Sequence, residues 1–237
     1  MTALDGAVVL VTGANGGIGT HFVRAALERG AAKVYATARH PRAWEDERIV
    51  PLALDVTDPE SIRAAAAAAG DVSVLINNAA VSVSSAGILT HTDEEIRANV
   101  ETNFLGPLFL ARAFAPVLEA KEQAAIIDLH SALSWYAVGG IYSATKAALW
   151  SATNSLRLEL APRGVHVVGV HVGYVDTAMA AHVTEAKTDP ADLVRTVYDA
   201  LEAGEYEVLA DATSVELKAG LSAPLEEVYP ELPIQGR

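Results

Sequence analysis

The chain contains no cysteine, which excludes disulfides, a thiolate zinc site and a cysteine nucleophile. Basic residues are scarce: 17 Lys and Arg stand against 30 Asp and Glu, for a formal charge of −13. That balance disfavours nucleic acid and anionic membrane as partners. No apolar run approaches the length that spans a bilayer. The start, MTALDGAVVLVTG, lacks the basic segment and long apolar stretch of a signal peptide. The seven histidines show no HExxH-type spacing and the carboxylates are scattered, so no metal is expected; His21 and His182 read as surface residues. What is present is a chain of 237 residues, 51% hydrophobic and 20% charged, enough to bury a sizeable core. With no linker and no repeat, the expectation is one cytoplasmic domain over residues 1–237. Its tail, 221–237, carries Pro224, Pro230 and Pro233, and the sequence leaves its conformation open.

Short β-branched runs alternate with Ala- and Leu-rich segments. Val8 to Val11, Lys33 to Thr37, Val50 to Leu54, Val72 to Ile76, Ala125 to Leu129 and Val165 to Val170 read as strands covered on both faces, and Val208 to Ala210 as a short seventh. Between them lie helical stretches at Ile18 to Arg29, Pro59 to Ala69, Thr92 to Ala120 and Tyr142 to Ala161. The alanine run Ala64 to Ala69 follows Asp58 and Pro59, a cap-and-start signal, and is helix rather than low complexity. Gly106 and Pro107 divide or bend the third helix. This alternation predicts right-handed βαβ units and an α/β fold: a doubly wound, Rossmann-like parallel sheet in three layers.

Directly after the first strand comes Thr12-Gly13-Ala14-Asn15-Gly16-Gly17-Ile18-Gly19, opening a helix. Glycines let the backbone turn sharply and let a pyrophosphate approach helix N–H groups. Gly13, Gly17 and Gly19 resemble the TGxxxGxG loop of the short-chain dehydrogenase/reductase family. Gly13, Gly16 and Gly19 also fit TGxxGxxG of its extended branch, but only a short segment follows the last strand, which favours the single-domain branch. Asp55-Val56 resembles the pair that contacts adenine. Asn77-Asn78-Ala79-Ala80 resembles NNAG, with Ala80 in place of glycine. His171-Val172-Gly173-Tyr174-Val175-Asp176-Thr177 resembles PGxVxT, with Val172 in place of proline. The resemblance covers about residues 5–185 and implies an NAD(P)-dependent oxidoreductase interconverting a carbonyl and an alcohol, with 4-pro-S hydride transfer. The cofactor contacts it implies are Gly13, Asn15, Gly17, Ile18, Gly19, Arg39, Asp55, Val56, Asn78, Ala79, Tyr142, Lys146, Gly173, Val175 and Thr177.

Tyr142-Ser143-Ala144-Thr145-Lys146 places a phenol and an ammonium on one helix face. A free tyrosine has a pKa near ~10, and a neighbouring cation favours its phenolate. Spacing alone fits an ordinary Tyr/Lys pair; after the fifth strand it matches the family's YxxxK, and Tyr142 is expected as general acid/base. By the same resemblance Ser131 bonds the substrate oxygen, and Asn103 orders a water leading to Lys146. His130 stands where a second serine often lies. The gap from Ser131 to Tyr142 is about two residues shorter than the motif's usual spacing, which leaves Ser134 as an alternative to Ser131. Met179 and Val183 line a substrate lid or pack a helix.

At the end of the second strand, Ala38 offers no acidic acceptor to a ribose, and Arg39, assisted by Arg42, suits a 2′-phosphate. NADP(H) is therefore favoured and NAD(H) stays open, since Asn15 occupies a loop position where many NADP enzymes of the family are basic. The resemblance also implies a homo-oligomer, dimer or tetramer, through helices near Thr102 to Ala120 and Tyr142 to Ala161. Rival readings are a catalytically silent nucleotide-binding regulator and an epimerase or dehydratase on the same fold. Substrate, stereoselectivity and reaction direction are not legible.

Overall fold

The first strand shows why the sheet has three layers. Along β1 (Val8–Thr12) Val9 and Val11 enter one apolar core and Leu10 enters another. Successive residues of a strand point to opposite faces, so a continuous apolar run marks a strand buried on both. The computed structural model describes residues 2–82 and 87–232; Pro233 lies outside them. In it β1 joins β2 (Lys33–Ala38), β3 (Ile49–Ala53), β4 (Val74–Asn77), β5 (Ala124–Leu129), β6 (Val165–His171) and β7 (Glu207–Leu209) in one sheet. The order is β3-β2-β1-β4-β5-β6-β7 and every pairing is parallel. This is the doubly wound fold expected from the sequence.

One face is covered by α1 (Gly17–Glu28) and α6 (Pro190–Ala203), which bury Phe22, Val23, Leu193, Val197, Tyr198 and Leu201. The Phe22 and Tyr198 rings meet edge to face at 5.4 Å, and the Tyr198 hydroxyl donates to the Phe22 carbonyl at 2.9 Å. The other face is covered by α2 (Pro59–Ala68), α4 (Gly106–Glu119) and α5 (Ile141–Leu160), with Ile62, Leu110, Phe114, Leu118 and Leu160 in the second core. Asp58 caps α2 by accepting from the Glu60 N–H at 2.9 Å. The helix α6 was not expected, although Asp189-Pro190 followed by Leu193, Val194, Val197 and Leu201 is a start signal with helical spacing. Also unexpected are α7 (Ala212–Ala219) and the short α8 (Leu225–Val228).

The stretch expected as one bent or two separate helices is α3 (Asp93–Val100), a π-helical turn at Glu101–Leu105, and then α4. The Gly106 N–H reaches back to the Glu101 carbonyl. Pro107 has no N–H to return to the carbonyl four residues earlier, that of Asn103. The wide turn absorbs that loss, and it falls just before the Gly-Pro pair that signalled it.

β1 has β2 on one side and β4 on the other, and here the strand order reverses and a crevice opens at the carboxyl ends. Thr12 closes the bottom of that crevice. Its hydroxyl donates to the Ile76 carbonyl at 3.2 Å and accepts from the Asn78 and Ala79 N–H groups, both at 2.9 Å, which uses its one proton and both lone pairs. The Asn78 amide donates to the Thr12 carbonyl at 2.7 Å. The asparagine segment after β4 is thereby tied to the start of the glycine loop.

Candidate active site

A cleft of about 1690 Å³ runs along the carboxyl edge of the sheet. Of the sequence-selected positions it is lined by Gly13, Asn15, Gly17, Ile18, Arg39, Asp55, Val56, Asn78, Ala79, Ser131, Tyr142, Lys146, Gly173, Val175 and Thr177. Gly19 and Asn103 lie behind it. A Cβ on Gly19 would stand 2.3 Å from the Gly13 carbonyl oxygen, so glycine is what lets α1 start against the loop. Gly17 adopts φ +51°, whereas Gly16 is extended at −161°. The constrained glycines are thus those of TGxxxGxG rather than of the alternative spacing.

No side chain caps α1 at Gly16, so the first-turn N–H groups and the helix dipole are presented to the cleft, as an anionic diphosphate requires. Asn15 does not offer its side chain. Its amide donates to the His40 carbonyl at 2.7 Å and accepts from the Arg42 N–H at 3.2 Å, fastening the glycine loop to the segment after β2. Arg42 lies over the Trp44 ring at 3.9 Å. Arg39 is exposed on the same segment, near enough to Asp55 to help lower its pKa, although the Thr57 N–H and hydroxyl are the main cause. Farther along, the Gly173 N–H donates to Asp211 at 2.7 Å, and Thr177 donates to the Val175 carbonyl at 3.3 Å. These residues fit a bound dinucleotide.

At the end of β5 the Tyr142 hydroxyl lies beside Ser131, and desolvation pushes its pKa up to about 12. Lys146, one helical turn away, is 3% exposed and donates to the Leu129 carbonyl at 2.6 Å. Desolvation lowers its pKa to about 8. Ser131 itself accepts from the Leu133 N–H at 3.1 Å, starting a single helical turn. Ser134 turns inward and accepts the Ser131 N–H at 3.4 Å, away from the cleft. Asn103 is fully buried, exchanging bonds of 2.8 Å with both backbone groups of Val81. Its side chain is thus committed to the loop after β4, and a route from Asn103 to the cleft would pass through its backbone.

His130 and His171 were not linked by the sequence, yet they form a buried chain beneath Ser131. His171 Nδ1 is 3.1 Å from the Ser131 carbonyl, His171 Nε2 is 3.0 Å from His130 Nδ1, and His130 Nε2 is 2.8 Å from the Thr153 hydroxyl. Thr153 is 2.7 Å from Asp128, whose other oxygen accepts from Asn77 at 2.8 Å. A carbonyl cannot donate, so His171 carries its proton on Nδ1 and His130 on Nδ1 as well, while the Thr153 hydroxyl has three acceptors within reach: His130 Nε2, Asp128 and, at 2.8 Å, the Leu149 carbonyl. A neutral Asp128 donating to Thr153 leaves one of these acceptors without a proton, whereas a charged one leaves two. Burial raises the Asp128 pKa and drives that of His130 well below its ordinary value, which agrees.

The profile of the short chain dehydrogenase family matches residues 7–188. The chain belongs to that family. This short chain dehydrogenase is therefore an NAD(P)-dependent oxidoreductase. It is 29% identical to an NADP-dependent 3-hydroxy acid dehydrogenase of Schizosaccharomyces pombe, over 89% of this chain and 93% of that protein. A short chain dehydrogenase from Burkholderia cenocepacia, solved in complex with NADP, superposes with a TM-score of 0.90 at 38% identity, covering 97% of this chain and 99% of that one. An NADPH-bound carbonyl reductase from chicken fatty liver gives 0.78 at 28% identity, over 89% and 96%.

The segments that the motifs did not reach also line the cleft. Tyr229 stacks on Tyr136 at 5.2 Å and 5°, and its hydroxyl accepts from the Ala137 N–H at 3.0 Å, so this part of the tail, whose conformation the sequence did not decide, forms a wall. Met179 lines the cleft while Val183 is buried, which divides the pair considered for a lid. The neutral-acid assignment predicts that Asp128→Asn, which keeps one donor and one acceptor, unfolds in urea within about 1 kcal/mol of the parent. Asp128→Ala, which strands Asn77 and Thr153, should lose about 2–4 kcal/mol. Equal damage from both would show that a charged carboxylate is required.

Proposed function

We propose that this dehydrogenase reduces an aldehyde or ketone to the alcohol, and oxidises it in reverse, with Tyr142 as the proton donor and acceptor. The observation that carries the reading is the Tyr142 hydroxyl beside Ser131 and one turn from a buried Lys146, all three lining the cleft at the end of β5. The cofactor, when bound, supplies or takes the hydride. Burial keeps the Tyr142 proton in place until an oxygen develops negative charge beside it. Ser131 holds that oxygen in position, and the Lys146 ammonium favours the phenolate left after the proton moves. Backbone at Gly173 and Val175, with Thr177, would hold the nicotinamide end. Asn103 would act through its carbonyl, which Pro107 deprives of its usual helical partner.

Retention of Ser131, Tyr142 and Lys146 around one cleft argues against a silent regulator. NADPH is the favoured cofactor: Arg39 lies on the cleft beside Ala38, and Asn15 holds the segment that carries both. A guanidinium pairs with a phosphate in charge and shape. Copies of the chain are proposed to pair through α4 and α5, where Leu158 is 79% exposed. Tyr142→Phe should lower kcat for carbonyl reduction at least ~1,000-fold, since the hydroxyl assigned as proton donor is lost, while the Kd for NADPH changes little. A variant keeping most of its kcat would remove Tyr142 from this role. Arg39→Ala should raise the KM for NADPH about tenfold, the worth of one charge-assisted contact, and leave that for NADH unchanged. A parent enzyme that prefers NADH would contradict the cofactor assignment.

A further inference from the structure

Beyond Tyr142 the cleft changes character. Its walls there come from the loop after β5, from the segment after Thr177, from α7 and from the tail. Tyr136, Val138, Met179, Leu221, Leu225 and Tyr229 all line it. Val138, Met179, Leu221 and Leu225 are 60, 46, 47 and 64% exposed. Large apolar side chains collected at a concave mouth mark a surface meant to be covered.

Charge at this end is of one sign. Glu185, Glu216 and Glu227 line it, all exposed. Among the described residues the only Lys or Arg side chains lining the whole cleft are Arg39 and Lys146. Arg39 follows β2 at the far, nucleotide end. Lys146 is buried beneath Tyr142 and committed to the Leu129 carbonyl. His182 is exposed at the rim, and two cleft histidines remain, His40 beside Arg39 and His130 inside the buried chain. Nearby Lys187 is directed to Asp176 at 3.7 Å, Lys218 is paired with Glu207, and neither lines the cleft.

Resting on the oxidoreductase reading, we infer that the substrate is an apolar, aromatic-bearing carbonyl or alcohol that is neutral or cationic, and that keto acids and hydroxy acids are excluded. A carboxylate brought into this half of the cleft would lose water without gaining a cation and would face three carboxylates. An aromatic group has Tyr136 and Tyr229 to pack against. This departs from the activity named for the yeast relative, a 3-hydroxy acid dehydrogenase. Specificity of this kind is built as much from repulsion as from attraction.

The test compares methyl 4-acetylbenzoate with 4-acetylbenzoate, which share size and reacting group and differ in one remote charge. With saturating NADPH or NADH the ester should show a kcat/KM at least ~100-fold above the acid. In the double variant Glu216→Gln, Glu227→Gln that ratio should narrow about fivefold or more, as expected when two carboxylates supply the repulsion. An acid reduced as well as the ester, or a ratio unmoved in the double variant, overturns the inference and leaves the oxidoreductase reading standing. Failure to reduce either compound, or any of a panel of benzaldehydes, by enzyme that binds the dinucleotide would instead overturn the oxidoreductase reading beneath it.

Discussion

A buried ammonium under a half-buried phenol is the arrangement on which the rest of the structure depends. Lys146 sits 3% exposed with its charge against a backbone carbonyl, and burying a cation is costly unless it is held by dipoles or an opposite charge. The price shows as a pKa lowered to about 8 for Lys146 and raised to about 12 for Tyr142. Both shifts favour the neutral form of the group, so the proton stays on Tyr142 until further charge develops beside it. A helix supplies the geometry, because residues four apart share a face. The carboxyl end of β5 supplies the carbonyl.

What holds that end of β5 in place lies underneath it. The chain from Asp128 through Thr153, His130 and His171 ends on the carbonyl of Ser131, the residue whose hydroxyl meets Tyr142. Trp135 stacks on His171 at 3.8 Å and closes the chain from the cleft side. With Asp128 neutral the chain buries no net charge, and the network acts as a rigid support. His130, a departure from the family's usual serine, is the link that makes the chain continuous.

Much of this was legible in the sequence, for identifiable reasons. The strands were visible because burial on both faces writes apolar runs, unbroken in Val8 to Val11 and interrupted only by Asp128 in Ala125 to Leu129. The glycine loop and the Tyr142/Lys146 pair were visible because backbone strain and helical spacing restrict which residues serve. Edges moved where turn bonds decide them: Val72 stays outside β4 because its N–H returns to the Ala69 carbonyl at 3.2 Å. The His130–His171 link was not legible, since it joins strands β5 and β6 through a register that only the folded sheet sets. Nor was the role of Asn15, whose partners lie 25 and 27 positions away. The tail was opaque for a different reason. Tyr229 is fixed by stacking on Tyr136, a contact between irregular segments with no periodicity to betray it.

The central claim is that burial holds the proton on Tyr142 and that cationic charge, from Lys146 and from an oxidised nicotinamide, releases it. The direct measurement is the ultraviolet difference spectrum of phenolate, parent minus Tyr142→Phe, followed against pH with and without NADP+. In the free protein no Tyr142 phenolate should form up to pH ~10, where an unburied tyrosine is half ionised. In the complex it should form about two or more pH units lower than in the free protein, as expected for a phenol beside fixed positive charge. A Tyr142 that ionises near its solution value in the free protein, or whose ionisation does not respond to NADP+, would contradict the account.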